Sequence, residues 1–107
     1  MPSATYALFH DAILAERQVS CTYEERTREL CPHIIGYNKK GEEVVLAWQF
    51  AGQSSRPLPE WRCLRLAKVR DAHARDGRWY EGGSHRTEQR CVSDVRLDIN
   101  IHVRKRR

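Results

Sequence analysis

A chain of 107 residues has room for one domain, 1–107, and for a single core. Lys and Arg number 19 against 14 Asp and Glu, giving a net charge of +5, and four of those charges fall in the C-terminal tail Arg104, Lys105, Arg106 and Arg107. No stretch approaches the roughly 18 apolar residues of a membrane helix and no export pattern opens the chain, so the expectation is a soluble, cytoplasmic protein that makes no membrane contact.

Ser3 or Thr5 can cap a helix from about Tyr6 to Arg17, in which Phe9 and Ile13 stand one turn apart on an apolar face. A helix of that length is marginal alone in water and must dock on the remainder. From Gln18 the period changes to two: Val19, Cys21 and Tyr23 share one face of a strand. Glu25-Arg26 reads as a turn. The next strand, about Thr27 to Tyr37, holds Pro32, which the ladder tolerates only at an edge or a bulge. Asn38 to Gly41 closes a hairpin into Glu43–Phe50, a strand apolar on both faces.

Gly, Ser and Pro mark Ala51 to Pro59 as a surface loop. The segment Trp61–Val69 then reads as a strand, with Arg62, Arg65, Lys68 and Arg70 forming a run of cations without an acid among them through position 70. Asp76-Gly77 is a hairpin signal leading into Trp79-Tyr80, and Glu81 to Gln89, which has no apolar residue, reads as a mobile loop. In the final segment Val95, Leu97, Ile99, Ile101 and Val103 alternate with polar residues, the pattern of a strand that buries one parity. One helix and six or seven short strands imply a mainly β fold, a small barrel or rolled sheet without free edges.

The order of these elements, from Ala12–Val19 and Tyr23 through Val44–Trp48 to Trp61–Val69, resembles the WYL domain, a bacterial ligand- and nucleic-acid-sensing module. The family's name-giving tripeptide falls on Val44-Val45-Leu46, matched at the leucine, with Trp48 two residues on. Its second block, aromatic-Arg-Leu-Asp-Arg-Ile, falls on Leu64-Arg65-Leu66-Ala67-Lys68-Val69, which keeps the first arginine and the leucine. The resemblance implies an Sm-like or SH3-like small β-barrel behind the N-terminal helix. It also implies a role for Arg65 in binding single-stranded RNA or DNA, or a nucleotide-like ligand, in transcriptional or defence regulation.

The residues themselves are compatible with that role. A guanidinium engages phosphate oxygens in a planar fork, and strand alternation puts Trp61, Cys63 and Arg65 on one face, an aromatic platform beside a cation. Lys68, Arg62 and Arg70 extend the positive field, and the tail 104–107 would add sequence-independent contact with a polyanion. The competing reading has Trp61 plugging the fold and Arg65 paired with a surface acid. A different class of function, a dimerisation or regulatory-partner adaptor without nucleic acid, would use the apolar Val44–Phe50 strand as a homo-oligomer or partner surface.

Cys31-Pro32-His33 offers two metal-ligand types on one strand, but no C-x-x-C pair completes a site, so neither metal nor cofactor is expected. The sequence contains neither a nucleophile motif nor a phosphate-cradling loop, and the expectation is a binding protein rather than an enzyme. In a reducing compartment Cys21, Cys31, Cys63 and Cys91 would be packed, free thiols.

Overall fold

A computed structural model describes residues 2–82 and 91–103 of the chain. Helix α1 (Ala4–Ala15) starts earlier than its periodicity predicts, because Ser3 is the cap: its Oγ accepts from the Tyr6 amide at 3.1 Å. The same serine donates from its amide and hydroxyl to the Glu43 carboxylate, at 2.9 and 2.6 Å, and so fastens the helix to the sheet. Glu16, in the left-handed region, ends the helix.

Six antiparallel strands follow: β1 (Gln18–Tyr23), β2 (Arg26–Tyr37), β3 (Glu43–Gly52), β4 (Glu60–Arg65), β5 (Val69–Arg75) and β6 (Asp94–Asp98). Their order is β4-β3-β2-β1-β5, with β6 also paired to β2. One edge of β2 carries β3 along nearly its whole length, while the other carries β1 opposite 26–30 and β6 opposite 34–37. Pro32 lies between those two partners, beside a bulge at which the register against β3 shifts by one residue. The missing proline N–H thus falls where the ladder is already interrupted, as expected for proline in a long strand. At Gly36 a side chain would meet the Asp94 carbonyl oxygen at 1.9 Å, so only glycine lets β6 approach.

The sheet is not closed. β4 and β5 are its two ends, joined by a 3-10 turn (Leu66–Lys68). That turn corrects the expected single strand Trp61–Val69: Arg65, Lys68 and Arg70 stand on three successive elements rather than one ladder. The first hairpin turns at Glu24-Glu25, both at positive φ, one residue before the expected place. No ladder follows Asp76-Gly77 in the described residues, where a hairpin was expected; 76–82 runs outside the strands. Most of the predicted loop, 83–90, lies outside the described residues.

The final segment also departs from its pattern. β6 stops at Asp98, and Ile99–Val103 forms one π-helical turn that leaves Ile101 53% exposed while Leu97 and Ile99 are buried. Local polar bonds redirect the chain: the Asp98 carboxylate accepts from the Asn100 amide at 2.9 Å, and the Asp98 amide donates to His102 Nδ1 at 2.8 Å. Such side-chain bonds compete with a strand ladder, and alternation alone does not reveal them.

Two apolar clusters result. The larger joins Phe9 and Ile13 of α1 to Val19, Leu30, Ile35, Val45, Leu64 and Ile99. The smaller gathers Ile34, Val44, Leu46, Trp61 and Val92, with Trp48 packed against it. Both faces of β3 are therefore covered within the chain, and its apolar residues Val44 to Ala47 are at most 2% exposed. Of the Val44–Phe50 strand on which the adaptor reading drew, Trp48 and Phe50 are the residues left partly exposed.

Candidate anion-binding site

The β2–β3 hairpin is built by Asn38. Its Oδ1 accepts from the amides of Lys40 and Glu42 at 3.0 and 2.9 Å, and its Nδ2 donates to Glu42 Oε1 at 3.0 Å. An asparagine that satisfies its own turn in this way fixes the turn tip, with Lys39 and Lys40 on it and both exposed. Across the β3–β4 ladder Arg65 is the partner of Val44, so the last residue of β4 stands beside the hairpin's return strand. The hydroxyl of Tyr23 accepts from the Arg65 amide at 3.2 Å and holds that strand end in place.

A cleft of about 380 Å³ opens there, lined by Lys39, Lys40, Glu42, Arg65, Cys91 and Ser93 among others. Arg65 Nη1 is 3.8 Å from Glu42 Oε2, and the two side chains are 45% and 41% exposed. The Asn38 hydrogen bond, with the fields of Arg65, Lys40 and Lys68, holds the Glu42 carboxyl below its usual range. A single acid thus faces several cations. A guanidinium with five donors, at a loose 3.8 Å from one exposed carboxylate, retains donors for an incoming oxyanion.

Lys68 borders a second cleft of similar volume, with Arg70, Thr22, Ala67, Glu24 and Glu25, where acids balance the cations. Arg62 is oriented differently. Its side chain is 12% exposed; Nε donates to Gln49 Oε1 at 3.2 Å, and the guanidinium also binds Ser54 and lies 3.5 Å from Glu60. Burial, with Arg28 and two further arginines nearby, lowers its pKa despite Glu60. Gln49 Oε1 accepts from the buried Arg28 as well, at 3.0 Å, so Arg62 belongs to an internal polar network that knits β2, β3 and β4.

Trp61 shares its strand face with Cys63 and Arg65, as alternation requires, but it is not an open platform. The ring is 9% exposed, 5.0 Å from both Trp48 and His33 in edge-on contacts. Gly82 closes over it: a Cβ there would meet Trp61 and Trp48 at 2.7 and 2.8 Å. Cys63, next on that face, is bonded to Cys91 in a disulfide, which corrects the expectation of four free thiols; Cys21 and Cys31 are free and buried.

Cys31 and His33 sit deep under the segment 76–82. Burial pushes the Cys31 thiol up to about 11, and its Sγ accepts from the Tyr80 amide at 3.4 Å. His33 Nδ1 is 2.8 Å from the Cys31 carbonyl oxygen, and its ring packs against Trp61 and Trp79. Among the described residues no three His, Cys, Asp or Glu gather to hold a metal. Arg104, Lys105, Arg106 and Arg107 lie outside the described residues. Of the residues singled out by sequence, the structure therefore sets Arg65 against Glu42, while Lys68 lines the other cleft and reaches that carboxylate only through its field. The structure adds Lys39 and Lys40, whose only signal was an Asn-Lys-Lys-Gly turn.

No helix among the described residues is long and apolar enough to cross a membrane. No protein-family model, curated protein or solved structure matches the chain.

Proposed function

We propose that this protein is a small WYL-like module, its sheet rolled toward an Sm-like barrel, that binds single-stranded nucleic acid or a nucleotide-like effector in the bacterial cytoplasm. In this reading it serves transcriptional or defence regulation through a partner or self-association, and it binds its ligand without transforming it. The carrying observation is the cleft that Arg65, Lys40 and Lys39 line beside one carboxylate, Glu42, which the field of Lys68 also reaches. Phosphate oxygens displace Glu42 from Arg65 there, and the lysines add point charges that follow a backbone. The long bulged β2 and the 3-10 turn that joins the two sheet ends support the rolled-barrel part of the reading. With Trp61 covered, the contact is phosphate-led, and stacking on that ring plays no part.

Fluorescence anisotropy with labelled oligonucleotides at two salt concentrations tests it. Arg65→Ala is expected to weaken binding by about 1–3 kcal/mol, the value of a charge-assisted contact. Arg65→Lys keeps the charge but loses the fork, and Lys40→Ala should lower the salt slope. Absence of binding by the wild type at low salt, or undiminished binding by a folded Arg65→Ala variant, would overturn the assignment.

A further inference from the structure

The four cysteines divide into two chemically different pairs. Cys21 and Cys31 are at most 2% exposed, and burial raises both thiols to about 11, so neither attacks a disulfide at neutral pH. Cys63 is exposed on β4, Cys91 is half-buried, and they are joined. Their bond sits between Trp61 and Arg65 on the strand face, and Cys91 lines the same cleft as Lys39, Lys40 and Arg65. An accessible disulfide in a cationic field is disposed to exchange, because the field stabilises the thiolate that must leave.

We propose that the Cys63–Cys91 disulfide is a site of reversible exchange with a dithiol reductant, and that opening it weakens polyanion binding at the Arg65 cleft. The second half rests on the function proposed above. In the exchange, a thiolate of the reductant attacks one cysteine sulfur, the protein's S–S bond breaks, and the other cysteine departs as a thiolate. The reductant's second thiol then displaces the first cysteine. The reductant becomes a cyclic disulfide, and the protein gains two electrons and the two protons the dithiol gives up.

The fold tolerates this change. Val92 remains buried in the smaller cluster and β6 stays paired with β2, so residues 91–93 keep two anchors besides the disulfide. The cleft does change. Its Cys91–Ser93 wall loses the covalent tie to β4, and any thiolate formed at Cys63 or Cys91 competes with phosphate for Arg65 and Lys40. Both effects act in one direction.

The experiment uses the full chain in native buffer. Intact mass and thiol titration follow the disulfide during treatment with dithiothreitol and reoxidation with its cyclic disulfide, and anisotropy with a labelled oligonucleotide reads binding in each state. Opening without loss of far-UV circular dichroism is expected, with binding weaker by roughly threefold to tenfold in the reduced state and restored on reoxidation, the scale of one altered charged contact. Cys63→Ser should bind like reduced wild type and ignore the reductant; if it does not fold, the reversible wild-type cycle decides alone. A disulfide that opens only in denaturant, or equal binding by the two redox states, overturns the inference while leaving the proposed function standing. No binding in either state overturns the proposed function, and the coupling with it.

Discussion

The two faces of the sheet are held by different physics. Under α1 the core is largely aliphatic, assembled from Phe9, Ile13 and strand residues spaced at the helix and strand periods. On the opposite face lies an aromatic layer: Trp48 against Trp61, Tyr80 stacked on Phe50 at 4.6 Å, and His33 linking Trp61 to Trp79, whose ring also packs against the larger core. That layer is covered by 76–82, which is anchored by a few polar bonds, Gln18 Nε2 to the Arg78 carbonyl at 2.6 Å and the Tyr80 amide to Cys31 Sγ, and not by a ladder. The comparison separates a core that sets global stability from a layer whose order depends on one short segment.

The largest expected effect breaks the first face. Phe9→Ala removes a fully buried ring from the helix–sheet interface and should cost about 3–5 kcal/mol, the usual cost of such a truncation. Urea denaturation followed by far-UV and by near-UV circular dichroism should show both signals moving to a lower midpoint together. If the helix signal alone were lost while the tryptophan environment survived, α1 would be an appendage and not a wall of the core.

A smaller effect tests the second face. Gly82→Ala puts a Cβ within 2.9 Å of both Trp48 and Trp61, at a φ of +77° that side chains adopt reluctantly. A cost of about 1–3 kcal/mol is expected from overpacking, accompanied by altered tryptophan fluorescence before any unfolding. Unchanged fluorescence would show that Gly82 does not seal the layer; a loss equal to that of Phe9→Ala would merge the two faces into one core.

The contrast also explains what could be read from sequence. The helix, the β1 face Val19, Cys21 and Tyr23, and the Asn38 hairpin were legible because periodicity and turn chemistry act over a few residues. The aromatic layer was not, since it depends on bulges that re-aim side chains and on 76–82 crossing strands distant in sequence. Arg62 and Arg65 illustrate the same limit at the site. Both are strand arginines three residues apart, yet one enters a buried network through Gln49 and the other borders a cleft beside Glu42, because alternation gives opposite parity without saying which side is wet. The Cys63–Cys91 bond was hidden for a related reason: spacing does not choose a partner 28 residues away.

The smallest effect uses the free thiols as one reporter on each side. Cys21 belongs to the aliphatic core, and Cys31 lies against the Tyr80 amide under the aromatic layer. Burial raises each folded-state pKa from 9.0 to about 11. A group with a raised folded pKa adds stability that is complete below its unfolded value and is lost as pH climbs through the folded one, because the unfolded chain sheds its proton first. Stability should therefore decline between pH 9 and 11, by about 1 kcal/mol per thiol near pH 10. Cys21→Ala and Cys31→Ala should each flatten part of that decline in urea titrations run at successive pH values. If Cys31→Ala flattened nothing while Cys21→Ala did, the cover over the aromatic layer would be admitting water to Cys31, and the two faces would differ in dryness as well as in composition.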